Sequence, residues 1–318
     1  MTPIQRGDRF RRELGLLGVL GSLMLLMGFL SPDFSFWDAE NLLGFPRHLA
    51  EKGIMACGMT LIIMTGGIDL SIGSLVGLAG IALGYTWLSW GLLPGLGMAL
   101  LVGSMGGLIN GLLITRWALP PLVVTLATMA LYRGVAMIIS RAQPVSNFPE
   151  PFGWWGQGYL GPIPAQFLVW ALTVVLFFLI VERTPVGRYA TAIGDNERAA
   201  LFAALPVRRI KLWLYSASGL LCSVGAILYT SRVSTAKADA GLGWELEIIT
   251  AVILGGTQIT GGRGTILGTF LGVMILGVVR NGLTLMGMKE EWQFMMAGII
   301  LIVTAVVNER MVERAAVR

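Results

Sequence analysis

Apolar runs of roughly 20 residues follow one another along almost the whole chain, separated by short stretches of glycine, proline or arginine. A run of that length forms a helix long enough to cross the hydrocarbon core of a bilayer. About ten such runs can be marked, at roughly 14–31, 49–66, 71–88, 92–115, 120–140, 165–182, 209–230, 244–259, 262–286 and 291–308. The expected fold class is therefore all-α: a polytopic helical membrane protein in which residues 1–318 form one transmembrane domain. Composition agrees, with 55% hydrophobic and 13% charged residues, which excludes disorder, collagen and an ordinary cytosolic enzyme. No connection between spans exceeds about 30 residues, too few for an ATPase or receptor domain, so an energy source must come from another chain or an ion gradient.

Several chemistries are excluded by what is missing. Cys57 and Cys222, the only cysteines, lie in apolar runs, which argues against a disulfide framework or a cysteine metal site. The single histidine, His48, removes two-histidine zinc motifs, so no metal site is expected. Clustered acids inside the spans, which a membrane-embedded enzyme would want, are absent.

Arginine placement predicts topology, because short cytoplasmic loops hold the basic residues. Arg6, Arg9, Arg11 and Arg12 put the N-terminus inside. Arg310, Arg314 and Arg318 do the same for the C-terminus, and the connection 183–211 carries Arg183, Arg188, Arg198, Arg208, Arg209 and Lys211. The net charge of +5 is thereby accounted for without a nucleic-acid partner. The first span lacks a small-residue cleavage site and reads as an uncleaved anchor. Residues 141–164, rich in proline with Trp154 and Trp155, are expected along the outer surface as a cap or interfacial helix.

Shifting the sequence by 171 residues lays Asn110-Gly111 on Asn281-Gly282 and several spans on one another, predicting an internal repeat over 1–140 and 165–318. Glycine marks the breaks. In Thr65-Gly66-Gly67-Ile68-Asp69-Leu70-Ser71-Ile72-Gly73-Ser74 a carboxylate stands between two apolar stretches, either as a transport group or, with Ser71, as a cap of the following helix. The run Gly255-Gly256-Thr257-Gln258-Ile259-Thr260-Gly261-Gly262 is expected as a tight inner turn, and Gly264, Gly268 and Gly272 after it as a close-packing face. Arg133 and Arg280, near span ends, are expected to snorkel or to pair with Asp69 or carbonyls. In the connection 183–211, Asp195 or Asn196 can cap a short helix over Glu197, Arg198, Ala199, Ala200, Leu201 and Phe202, which Pro206 ends. Such a helix fits either a partner's groove or the membrane surface.

The runs 65–74, 106–134, 184–207 and 245–286, in this order, resemble the transmembrane permease subunits of bacterial ribose-type sugar ATP-binding-cassette importers. Departures at Ala204-Leu205-Pro206 and Glu247-Ile248-Ile249-Thr250 blur the subgroup, and 231–239 with 143–164 looks most similar to rhamnose-type and autoinducer-2-type permeases. The resemblance implies a bacterial inner-membrane permease, not itself an enzyme, that translocates a monosaccharide such as a pentose or deoxyhexose. Its implied partners are a second permease subunit, identical or paralogous, two cytoplasmic ATPase subunits that bind ATP and Mg, and a periplasmic or lipid-anchored sugar-binding protein. This chain would bind no cofactor itself, and the helix from Asp195 to Phe202 would be its coupling helix. A neutral sugar needs hydroxyl-compatible groups along its path; Asp69, Asn110, Thr125, Thr128, Thr250 and Asn281 are the candidates. The rival reading is an ion-coupled secondary transporter of a small polar solute with Asp69 as ion ligand.

Overall fold

The computed structural model describes residues 3–304 apart from 290, 294, 297 and 301. Its helices are α1 (Pro3–Leu30), α2 (Ala39–Met64), α3 (Ile72–Trp90), α4 (Leu92–Arg116), α5 (Pro121–Ser140), α6 (Glu150–Gln157), α7 (Ala165–Arg183), α8 (Pro185–Asp195), α9 (Glu197–Phe202), α10 (Val207–Val233), α11 (Trp244–Leu254) and α12 (Ile266–Leu285). A further helix, α13, runs over Glu291–Thr304. A 3₁₀ segment, Pro32–Trp37, links α1 to α2, and a two-residue hairpin, Tyr159–Leu160 with Ile163–Pro164, precedes α7.

Among the described residues, seven helices are long and apolar enough to cross a membrane: α1 over Arg12–Leu30, α3, α4, α5, α7, α10 and α12. The remaining expected spans differ for physical reasons. The helix at 49–66 is α2, which begins ten residues earlier and carries Arg47, Glu51 and Lys52; residues 53–65 are all buried, so α2 is a helix of the bundle interior rather than of its lipid face. The stretch 244–259 is helical only as the eleven residues of α11, about 16 Å of helix, half a hydrocarbon core. Glycines at 255, 256, 261 and 262 end it, the last three with φ of +91°, +93° and +81°. Of the expected last span, 305–308 lies outside the described residues.

Packing centres on α2, which touches α7, α10, α11 and α12, and on the α4–α10 pair, the most extensive helix contact. That pair is close because of glycine: a Cβ on Gly219 would meet the carbonyl of Gly103 and the amide of Gly107, and a Cβ on Gly107 would meet the carbonyl of Tyr215. Ser223 Oγ then donates across the same seam to Ala99 O at 2.7 Å. The face expected from Gly264, Gly268 and Gly272 forms likewise, with Gly268 against the backbone of Gly255 and Gly272 against Ala251 O, closing α12 on α11.

At one end of the bundle lie α8, α9 and the turn 255–265; at the other, α6 and the hairpin, with Gly156 packed on the backbone of Ser231 and Arg232. Trp154 and Trp155 of α6 are half exposed. Replacing Gly219 by leucine should force α4 from α10 and cost about 1–3 kcal/mol of stability. The measurement is the thermal unfolding temperature in detergent, beside G44A as a control, since no atom lies within 4 Å of a Cβ at Gly44.

Candidate functional site

Two non-helical segments enter the bundle beside α3. The first, 65–71, joins α2 to α3. The second, 234–243, leaves α10 and runs antiparallel along α3: Ala236 lies beside Gly84, Ala238 beside Gly77 and Gly241 against Gly73. From Gly84 to Gly73 the segment descends about 16 Å along α3 before α11 begins. Non-helical backbone survives inside a membrane protein only where side chains or water satisfy it, and here specific side chains do so.

Asp69, 1% exposed, receives the amide of Ser71 at 3.0 Å and its hydroxyl at 2.6 Å on Oδ1. That is a turn closed by an aspartate two residues back. Neither Asp69 nor Ser71 caps α3 through its side chain, because Ser71, the residue at the cap position, makes no such bond. Asn110 Nδ2 donates to Ser71 Oγ at 2.8 Å, Tyr132 Oη donates to Asn110 Oδ1 at 3.2 Å and Gly106 O at 2.8 Å, and Thr125 Oγ1 donates to Ile68 O at 3.0 Å. Two of the expected pathway residues, Asn110 and Thr125, thus stitch the first break to α4 and α5, and a third, Asp69, closes its turn. For the second break Arg133 serves, donating through Nη1 to Ala238 O and, at 2.8 Å, to Ala240 O. Thr128 and Thr250 bond carbonyls of their own helices, Val124 O at 3.0 Å and Leu246 O at 2.6 Å.

The connection 183–211 folds as two capped helices. Thr184 Oγ1 accepts from Val186 N at 3.2 Å to start α8, and Asn196 Oδ1, rather than Asp195, accepts from Ala199 N at 3.0 Å to start α9. Ala200 is buried with Ile193 and Val207, whereas Leu201 is half exposed and Phe202 is 92% exposed. Lys211 Nζ holds Glu197 Oε2 at 2.7 Å, tying α9 to α10. This unit touches both inner turns: Gly262 N donates to Met64 O at 2.9 Å, a Cβ on Gly194 would strike both of those groups, and Asp195 Oδ1 lies against Gly262. A cleft of about 620 Å³ bounded by Thr65, Gly66, Pro121, Asp195, Arg198 and Lys211 opens beside the contact.

At the opposite end a larger cavity, about 790 Å³, lies between α2, α10, α11, α12 and the segment 234–243. Its wall carries two sets of ion pairs. Arg232 Nε meets Glu51 Oε1 at 2.7 Å; Glu247 receives Arg280 Nη1 at 3.0 Å and also pairs with Lys52. Arg280 therefore finds Glu247, not Asp69. Of the six expected pathway residues only Asn281 lines this cavity, and its Nδ2 donates to Asn41 Oδ1 at 3.0 Å. The charged wall was missed by a search for hydroxyl-bearing residues. The signal was present: acids and bases inside apolar spans are costly unless paired around a functional cavity, and Glu51-Lys52 interrupts an otherwise apolar stretch of α2.

Spans interrupted by non-helical segments, a short helix pair packed on the turns after α2 and α11, and a polar cavity at the other end are the architecture of a multi-pass membrane permease. The chain belongs to the family described as branched-chain amino acid transport system / permease component, which it matches over residues 48–305. It is 37% identical over 309 residues to the ribose import permease protein RbsC of Bacillus subtilis, covering 95% of this chain and 94% of that one. To RbsC of Escherichia coli it is 35% identical over 293 residues, with 91% of each chain covered. To the autoinducer 2 import system permease protein LsrD of Klebsiella pneumoniae it is 34% identical over 313 residues, covering 96% and 94%.

The network around Ser71 separates structural from dispensable hydroxyl and amide groups. Asn110→Ala should lower stability by about 1–3 kcal/mol, because the buried partners Ser71 Oγ and Tyr132 Oη each lose a bond. Thr128→Val, which removes only a bond within its own helix, should cost less. Thermal unfolding of the two purified variants in detergent checks the order.

Proposed function

We propose that this chain is the membrane-spanning subunit of an ATP-binding-cassette importer that carries a monosaccharide, a pentose or deoxyhexose, into the bacterial cytoplasm. It works with a second permease subunit, identical or paralogous, two ATPase subunits that bind ATP and Mg, and a periplasmic or lipid-anchored sugar-binding protein. The observation that carries the reading is α9, an exposed short helix capped by Asn196 and held directly after α8, whose Gly194 and Asp195 bear on the end of α2 and on the 255–265 turn. Relatives named for ribose and autoinducer-2 import, matched over nine-tenths of their length, support the sugar class over the amino acids of the family's description. The stretches 231–239 and 143–164 favour a rhamnose-type substrate within that class.

The termini and α8–α9 face the cytoplasm, a reading supported by the arginines of the connection 183–211. ATP binding draws the ATPases together, and α9 moves with the ATPase that holds it. Because Gly194 bears on Met64 and Gly262 at once, displacement of α8–α9 shifts the ends of α2 and the 255–265 turn together. The repeat over 1–140 and 165–318 gives the two broken segments corresponding places: subtracting 171 from 236–242 gives 65–71. Rocking of these units about the Gly73–Gly241 contact then opens one end as the other closes.

Two outcomes test this. Proteoliposomes holding this chain alone should take up no sugar, and uptake should require the ATPase, binding protein and ATP; ion-gradient-driven uptake by the chain alone overturns the proposal. Phe202→Asp should abolish co-purification of the ATPase without changing thermal stability, since Phe202 is 92% exposed, and retained ATPase binding with normal uptake would remove α9 from the coupling role.

A further inference from the structure

We infer that the break 65–71 holds a monovalent metal cation, of the sodium or potassium class, between the carboxylate of Asp69 and the hydroxyl groups of Tyr215 and Ser218. The inference goes beyond the importer reading by adding a resident ion, and it asks for no ion-gradient drive. Charge is the first ground. Asp69 is 1% exposed and, among the described residues, forms no ion pair. Arg133 and Arg280, the bases expected to pair with it, hold the carbonyls of Ala238 and Ala240 and the carboxylate of Glu247 instead. Ser71 occupies Oδ1 through its amide and its hydroxyl, and Oδ2 receives no hydrogen bond among the described residues. A buried charge is stable where it is paired or coordinates a metal ion.

Oxygens without partners face the same place from α10. Tyr215 and Ser218 are each 1% exposed, and neither Tyr215 Oη nor Ser218 Oγ has a hydrogen-bond partner. A Cβ on Gly67 would stand 2.6 Å from Tyr215 Oη, so that hydroxyl lies directly against the break, two residues before Asp69. Tyr215 and Cys222 are both within electrostatic reach of Asp69, and Ser218 stands between them on the same helix face, at spacings of three and four. Two orphaned hydroxyl groups cost free energy where they stand; a cation takes a lone pair from each and balances the carboxylate. The negative end of α2, a helix of 26 residues, abuts the break at Met64. Carboxylate, hydroxyl and carbonyl oxygens are ligands of hard cations, and interrupted helices are where membrane proteins coordinate sodium. These ligands lie outside the histidine and cysteine chemistry that the sequence excludes. One carboxylate matches one positive charge, and no cluster of three His, Cys, Asp or Glu residues that could hold a metal ion occurs among the described residues; a divalent ion would be left unbalanced. Thr65 and Gly66 of the same break line the cleft of about 620 Å³ beside α8 and α9, which gives the ion its way in.

The test measures binding of radioactive sodium, and of radioactive rubidium standing for potassium, to the purified full chain in detergent, with choline chloride holding the ionic strength constant. Saturable binding of one ion per chain is expected for at least one of the two. Asp69→Asn keeps an oxygen for Ser71 and removes the charge, whereas Tyr215→Phe removes a hydroxyl that is bonded to nothing. D69N should abolish binding, and Y215F should raise the Kd about ten-fold, the scale of one lost contact to a charge. The unfolding temperature of the unsubstituted chain should rise with the concentration of the bound cation, as linkage requires, and that of D69N should not. If D69N fails to fold, Y215F decides alone. Absence of saturable binding, or binding that Y215F leaves unchanged, overturns the site. An unfolding temperature that follows pH but neither cation gives Asp69 a proton in place of the ion and overturns it as well.

Discussion

Backbone that leaves the helix inside an apolar bundle must be given partners by the rest of the chain. Everything distinctive in this structure follows from that constraint. The segments 65–71 and 234–243 together interrupt what would otherwise be a regular helical bundle. Ser71, Asn110, Tyr132 and Thr125 serve the first, and Arg133 the second. Glycine completes the arrangement at Gly73 of α3 and Gly241 of the second segment, which approach more closely than any Cβ permits.

The same constraint assigns roles to the polar residues. A hydroxyl or amide side chain within an apolar span can face a passing solute or a backbone carbonyl. Asp69 and Thr125 bond backbone of the break, Asn110 bonds the Ser71 and Tyr132 side chains that serve it, and Thr128 and Thr250 turn to their own helices. Fixed charge takes the opposite part. Glu51, Lys52, Arg232, Glu247 and Arg280 are tolerated because each has an opposite charge beside it around a cavity. The cavity wall is thus built from groups of the kind a neutral cargo was expected to exclude.

The two ends of the bundle are joined by direct contacts. The helix pair α8–α9 bears on Met64 and Gly262. Met64 ends α2, the helix whose other half carries Glu51 and Lys52 into the cavity. The helix α2 therefore runs from the contact with α8 at one end of the bundle to the charged cavity at the other.

The sequence by itself determined the class. Span-length apolar runs require a helical membrane fold, and the pattern Asn196-Glu197 to Phe202 with Pro206 specifies a short capped helix, because hydropathy and capping are properties of neighbouring residues. Glycine runs likewise marked both turns at 66–73 and 255–262. Tertiary structure alone decided which carboxylate meets which base. Glu247 is 195 residues from Lys52 and Glu51 is 181 from Arg232, and no local rule relates them. It also decided that Arg133 would hold the carbonyls of 238 and 240. Pairing across the bundle depends on which helices pack together, and that is set by the glycine contacts between them rather than by the order of residues within any one span.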